Sequence, residues 1–171
     1  MSSEEIVTIV DAANRVVGAA PRWKMRAEML PHRATYILVF EPNGRLFLQK
    51  RTAIKDIYPG CYDVAAGGVV LAGETYEASA KRELAEELGI VGVRIQRHFD
   101  FYHQDDRSCV WGRVYSCRYG GTIVLQPEEI ESGEFLDIQQ VLDMSSREAF
   151  TPDGLAVLKR YLQETRNEAF D

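Results

Sequence analysis

The chain has 171 residues, of which 46% are hydrophobic and 27% are charged. A chain of this length and composition can bury one hydrophobic core without disulfides or structural metal. The formal net charge is −6 and the isoelectric point is near 5.2, whereas general binding to nucleic acid or to an anionic membrane requires a basic face. We therefore expect a single globular domain that binds neither a nucleic acid polymer nor a membrane.

The cysteine content and the first residues of the chain bear on the cellular compartment. The chain has three cysteines, Cys61, Cys109 and Cys117. An odd number argues against a disulfide framework, and the cysteines lack the paired spacing of a zinc site. The sequence begins MSSEEIVTIVD, and no segment approaches about 20 consecutive apolar residues. These features predict a soluble, cytoplasmic protein with no signal peptide and no membrane span.

The first half of the chain alternates between apolar runs and turn-forming residues. Residues 6–19 are apolar on both sides of an Asp-Ala-Ala-Asn turn, which predicts a small β-hairpin. Residues 21–31 are bounded by prolines and have apolar residues near helical spacing, which indicates a short helix. Residues 34–40 and 45–51 are rich in β-forming residues and flank a Pro-Asn-Gly turn, which predicts a second hairpin.

The second half begins with a long helical pattern from near Thr75, and Gly89 is the expected left-handed stop of that helix. The next segments alternate as strands do, and the acidic stretch PEEIESGE that follows them is typical of a solvated loop. A last helix is predicted at about residues 152–168. The predicted strands of this half are residues 92–104, 109–119 and 121–126.

Three acidic residues of the long helix are the main candidates for chemistry. Glu83, Glu86 and Glu87 stand at positions i, i+3 and i+4, so their carboxylates converge on one face of one helical turn. Like charges at this spacing destabilise a helix, and a hard divalent cation such as Mg²⁺ or Mn²⁺ would compensate them through carboxylate oxygens. The spacing therefore predicts a metal site on this face.

The opposite face of the same helix carries an apolar stripe. Ala80, Leu84 and Leu88 recur at helical spacing and would seat the helix against the core. Arg82 precedes Glu86 by four residues, so its guanidinium could hold one of the carboxylates, and we expect a structural role for it.

The segment from Gly68 to Ile90 reads GVVLAGETYEASAKRELAEELGI. It reproduces every fixed position of the Nudix box, G-x5-E-x7-R-E-U-x-E-E-x-G-U, in which U is a bulky aliphatic residue. The chain therefore resembles the Nudix hydrolases. The resemblance covers about residues 33–165 and implies an α/β fold, with a mixed β-sheet sandwiched between helices. We expect residues 1–32 to form an N-terminal hairpin and helix extension, and residues 33–171 to form the Nudix domain.

The resemblance also implies roles for the residues of the box. It implies that Glu83, Glu86 and Glu87 bind the metal together with the Gly68 carbonyl oxygen, and the reaction it implies is attack of water on phosphorus in a P–O–P linkage. A carboxylate must then accept the proton of the water. Glu86 is one candidate for this general base, and Glu131 of the PEEIESGE stretch is another. Glu74 and Arg82 are expected to pair as structural support.

The longer match HRATYILVF…GRLFLQKR…PGCYDVAAGG is similar to isopentenyl diphosphate isomerase and to the isomerase-like Nudix hydrolases. The isomerase uses a cysteine just before the first box glycine and a histidine just after it, and this chain has Gly67 and Val69 there. A hydrolase is therefore favoured. An isomerase, and a nucleotide-binding regulatory module without turnover, remain the alternatives.

Basic residues at strand ends are the candidates for substrate binding. Arg33 lies at the start of the first core strand, and Lys50 and Arg51 lie at the end of the second, from which they could reach the phosphates of a substrate in a pocket. The expected substrate is a small phosphoanhydride, by default a nucleoside di- or triphosphate, and the expected assembly is a monomer or a homodimer.

Overall fold

The computed structural model describes residues 2–168. The strands among these residues are β1 (Ile6–Val10), β2 (Val16–Pro21), β3 (His32–Phe40), β4 (Leu46–Arg51), β5 (Tyr62–Asp63), β6 (Gln96–Gln104), β7 (Cys109–Arg118) and β8 (Ile130–Leu136). The helices are α1 (Arg22–Ala27), α2 (Tyr76–Leu88), α3 (Ile138–Ser145) and α4 (Pro152–Glu168). The predicted N-terminal hairpin, the box helix and the last helix are all present.

The centre of the sheet is formed by β3 and β7, which run parallel in register from the pair His32 and Val110 to the pair Phe40 and Arg118. Strand β6 lies antiparallel on the other side of β7. Buried on both faces, β3 reads as a nearly continuous apolar run, which is typical of an interior strand.

The N-terminal hairpin adds to this same sheet. Strand β1 pairs with β2 and meets β3 at Ile9 and His32. The Thr8 N–H also donates to the Val70 carbonyl at 3.1 Å, so the extension is bonded to the loop of the Nudix box. The boundary between residues 32 and 33 stays a prediction. Backbone hydrogen bonds connect the N-terminal hairpin to Val70 and Ala72 on the other side of it.

The second predicted hairpin differs from expectation. Strands β3 and β4 are joined by the expected turn, but they pair only at Phe40 and Leu46 and then separate. Residues 62–69 fill the space between them, since Ile37 bridges to Ala66 and Gln49 pairs with Asp63. The opening between β3 and β4 is where the cleft of the molecule lies.

Helices cover both faces of the sheet. One core contains buried residues of α2, such as Leu84 and Leu88, packed with Ile37 and Val39 of β3. The other core contains Leu38 together with buried residues of α3 and α4. The mixed sheet sandwiched between helices is therefore confirmed. No helix in the described part of the chain is long and apolar enough to span a membrane.

Two predictions in the last third of the chain were wrong. Residues 121–126 are irregular rather than a strand, because the N–H groups of Val124 and Gln126 donate to the Leu88 and Glu87 carbonyls at the end of α2. The acidic stretch predicted as a solvated loop contributes to β8, which pairs with β4 and buries Ile130. Helix α3 was not predicted.

Candidate active site

Helix α2 has well-defined ends and one buried face. The Thr75 side chain accepts the Ala78 N–H at 3.1 Å, and Gly89 closes the helix with a left-handed φ of 68°. The apolar stripe of Ala80, Leu84 and Leu88 is at most 1% exposed. The helix is thus fixed in rotation, and this rotation decides where its carboxylates point.

The three carboxylates of the box do not share one environment. Glu83 and Glu87 are only 2% and 4% exposed, whereas the Glu86 side chain is 46% exposed. Burial raises the pKa of Glu83. Burial, and then the charge of Glu83, raise the pKa of Glu87 well above its usual value. Two buried carboxylates one turn apart repel each other when both are ionised, and a bound cation would relieve that repulsion.

The glycines before α2 let these carboxylates approach the main chain. A Cβ at Gly68 would lie 2.7 Å from the Glu83 Oε1 atom, so a side chain at this position would displace the carboxylate. The Gly67 N–H donates to Glu87 Oε2 at 3.4 Å. The Gly68 carbonyl accepts the Thr35 N–H at 2.9 Å. The Thr35 hydroxyl also donates to this carbonyl at 3.4 Å, so a metal ion bound there would replace that weak second hydrogen bond.

The donor set fits a hard divalent cation. Carboxylate oxygens of Glu83 and Glu87, with Glu86 one turn away, are the ligand type that Mg²⁺ and Mn²⁺ prefer. Among residues 2–168, no group of three Asp, Glu, His or Cys side chains is already arranged as a ligand set.

Arg82 and Glu74 form the ion pair expected from the box. Arg82 donates to both carboxylate oxygens of Glu74, from Nε at 2.9 Å and from Nη2 at 2.9 Å. Its Nη1 atom also donates to Glu83 at 2.9 Å and to Glu86 at 3.2 Å. The hydrogen bonds to Glu74 raise the pKa of Arg82 further. One guanidinium therefore ties the box loop to the carboxylate face of α2.

The candidate basic residues end up in different places. Arg33 donates to Asn14 at 2.9 Å and lies over the Tyr76 ring, and Lys50 pairs with Glu131 at 3.4 Å. Arg51 donates to the Ile57 carbonyl at 2.9 Å. Of the three, only Arg51 lines the cleft that contains Gly67 and Gly68.

Sequence reasoning missed an ion pair at this cleft, between Lys55 and Glu129. The Lys55 side chain is 9% exposed, and burial, followed by the charge of Arg51, lowers its pKa to about 8. The charge of Glu87 acts on the pKa of Lys55 in the opposite direction. Lys55 lines the same cleft as Gly67 and Gly68. By contrast, the Glu131 side chain is 58% exposed. No sequence signal separates Glu129 from its acidic neighbours.

Comparison with known proteins agrees with the box. Residues 30–160 match the family described as the NUDIX domain. The chain is 44% identical over 167 residues to an uncharacterized Nudix hydrolase of Yersinia pestis, covering 98% of this chain and 90% of that protein.

Solved structures show the same architecture. DR0079 from Deinococcus radiodurans superposes with a TM-score of 0.78 at 27% identity, over 91% of this chain and 98% of that one. The NUDIX domain of Shewanella oneidensis NrtR, solved with ADP ribose, has a TM-score of 0.63 at 15% identity, over 79% and 87% of the two chains. The sequence matches show that the chain belongs to the Nudix family of hydrolases.

Proposed function

We propose that this chain is a metal-dependent pyrophosphohydrolase whose substrate is a nucleoside di- or triphosphate, or a nucleoside diphosphate linked to another group. The observation that carries the proposal is the buried pair Glu83 and Glu87. Glu83 lies against Gly68 and Glu87 accepts from the Gly67 N–H, and both glycines line the cleft. Burying two like charges side by side is unfavourable. A metal ion bound between them would offset that cost beyond what the Arg82 hydrogen bond to Glu83 supplies, so metal binding explains the pair better than stability does.

In this proposal Glu83, Glu86 and Glu87 bind Mg²⁺ or Mn²⁺ with the Gly68 carbonyl. The bound metal supplies charge screening for the phosphates and lowers the pKa of an attacking water. Glu86 is the favoured general base, because its side chain is exposed and reaches solvent beside the buried pair. Glu131 remains the second candidate, and each of the two carboxylates has one cationic neighbour, Arg82 at 3.2 Å from Glu86 and Lys50 at 3.4 Å from Glu131.

The isomerase alternative has less support. A cysteine at position 67 would place its Cβ 2.1 Å from the Thr35 carbonyl oxygen, and Gly67 has a φ of 132° that side chains rarely adopt. The local backbone is therefore built for glycine. A regulatory module without turnover is distinguished from a hydrolase only by measuring activity.

The test is hydrolysis by the purified chain with Mg²⁺ or Mn²⁺ and a panel of nucleoside di- and triphosphates, nucleotide sugars and isopentenyl diphosphate. Release of phosphate, pyrophosphate or a nucleoside monophosphate is measured for the wild type and for Glu86→Gln and Glu87→Gln. Glu77→Gln is the matched control, because Glu77 is an exposed acid of the same helix that pairs only with Lys81 among the described residues.

We expect Glu86→Gln and Glu87→Gln to lose at least about 100-fold in metal-dependent turnover, while Glu77→Gln keeps it. Without metal, Glu87→Gln should unfold at an equal or higher urea concentration than the wild type, because it removes a buried charge. Undiminished turnover of Glu87→Gln would contradict the assignment of the metal site. Isomerised product without hydrolysis would support the isomerase.

A further inference from the structure

A second groove begins where the cleft meets α1. Its apolar surface comes mainly from Trp23 of α1 and from Ile54 of the facing loop. Trp23 is 51% exposed and Ile54 is 80% exposed, so two large apolar side chains of the same groove face solvent. Scattered apolar residues are ordinary on a surface, but a paired set inside a groove is typical of a binding site.

The walls of this groove are tied in place. Helix α1 is anchored by Met25, which is 1% exposed and packs with Val7 and with Val69 of the box loop. Asp56 accepts from Arg22 at 3.3 Å and from Arg26 at 3.0 Å, so the loop that carries Ile54 is held against α1. Trp23 is therefore presented outward by a fixed support.

The groove is continuous with the candidate active site. Arg22, Arg26 and Lys55 line both the groove and the cleft that contains Gly67 and Gly68. Within the described part of the chain, the Nη1 atom of Arg26 is buried and has no hydrogen-bond partner. A buried donor without a partner is costly, so the junction offers a place for an acceptor oxygen of a ligand.

We propose that Trp23 and Ile54 form the subsite for the nucleobase of a substrate whose phosphates occupy the cleft. This inference rests on the proposed hydrolase function and adds its specificity site. A base presents a flat face to the Trp23 ring and polar edges to the rim, where Asp56 and Glu128 lie. A prenyl chain would instead desolvate those rim charges without replacing their hydrogen bonds.

The binding test uses ligands that cannot be hydrolysed. The α,β-methylene analogues of ADP, GDP, CDP and UDP are titrated with Mg²⁺, while tryptophan fluorescence and heat of binding are recorded. Methylenediphosphonate is the matched ligand without a base, and the methylene analogue of isopentenyl diphosphate is the ligand with an apolar tail. The proteins are wild type, Trp23→Phe, Trp23→Ala, Ile54→Ala and the control Val17→Ala, which truncates an exposed apolar side chain of β2.

We expect at least one nucleotide analogue to quench the wild-type fluorescence, and the quench to disappear in Trp23→Phe, which leaves only Trp111. Trp23→Ala should weaken binding of that analogue about 5- to 10-fold, whereas binding of methylenediphosphonate should change less than about 2-fold. In turnover assays, KM should rise by a similar factor and kcat should change little.

Equal affinity of wild type and Trp23→Ala for every nucleotide analogue would overturn the subsite. A loss of affinity confined to the isopentenyl analogue would also overturn it, and would assign the groove to an apolar chain. The two proposals can fail separately. If nucleotide binding depends on Trp23 but no turnover is found, only the hydrolase proposal is contradicted. If turnover depends on Glu87 but is unaffected by Trp23→Ala, only the subsite proposal is contradicted.

Discussion

Replacing Gly67 with alanine should destabilise the protein strongly, because a side chain there meets the main chain. The added Cβ would lie 2.1 Å from the Thr35 carbonyl oxygen, so the two segments would have to separate by about 1 Å in a packed region. The φ of 132° adds backbone strain. Strain of about 1–3 kcal/mol and overpacking of about 1–3 kcal/mol together predict a loss of about 2–6 kcal/mol.

Two other glycines separate these contributions. Gly44 has a φ of 90° but no atom within 4 Å of an added Cβ, so Gly44→Ala reports the positive φ alone, at about 1–2 kcal/mol. Gly18 lies in β2 with open space around it and no positive φ, so Gly18→Ala should be neutral or stabilising by up to about 1 kcal/mol.

The assay is urea unfolding followed by circular dichroism, with the free energy of unfolding compared among the three variants and the wild type. The expected order of stability is Gly18→Ala, wild type, Gly44→Ala and then Gly67→Ala. If Gly67→Ala were as stable as Gly44→Ala, the close contact with Thr35 would not constrain this position. The backbone would then no longer exclude a cysteine at position 67.

Burial, and then the charge of Asp153, raise the pKa of Asp63 to about 6, although Arg51 opposes the shift. The stability that this carboxyl group contributes is therefore present below its unfolded pKa near 3.8 and is lost as the pH rises to about 6. An asparagine does not titrate. The free energy of unfolding of Asp63→Asn, relative to that of the wild type, should therefore rise by up to about 3 kcal/mol between pH 4 and pH 7. A constant difference in urea midpoints would contradict this. For Glu74 and Arg82, a double-mutant cycle of Glu74→Gln and Arg82→Lys should give a coupling energy of about 1–2 kcal/mol, against less than about 0.5 kcal/mol for an ordinary surface pair.

The sequence alone was sufficient for the parts of the protein that depend on local spacing. The spacing of the box predicted the start of α2 near Thr75, its end at Gly89 and the shared face of its three glutamates. These features are accessible from the sequence because helical periodicity and capping depend on residues close together in the chain. Family membership followed from the same spacing. The mixed sheet between helices was predicted from the resemblance to the Nudix family, and not from the pattern of the individual strands.

Strand pairing was less accessible from the sequence. The turn between β3 and β4 was recognisable, but the separation of these strands depends on residues 62–69 entering between them. Residues 121–126 have the pattern of a strand, yet the N–H groups of Val124 and Gln126 donate to carbonyls at the end of α2. In both places a distant segment competes for backbone hydrogen bonds, and local propensity does not record that competition.

Only the tertiary structure decided which charged residues belong to the site. It buries Glu83 and Glu87 and leaves Glu86 exposed, and it brings Lys55 to Glu129 across 74 positions of sequence. It also commits Arg33 to Asn14, outside the cleft, and opens the groove beside Trp23. Acids of one type look alike in a sequence, and their burial and partners are fixed only when segments far apart in the chain pack together.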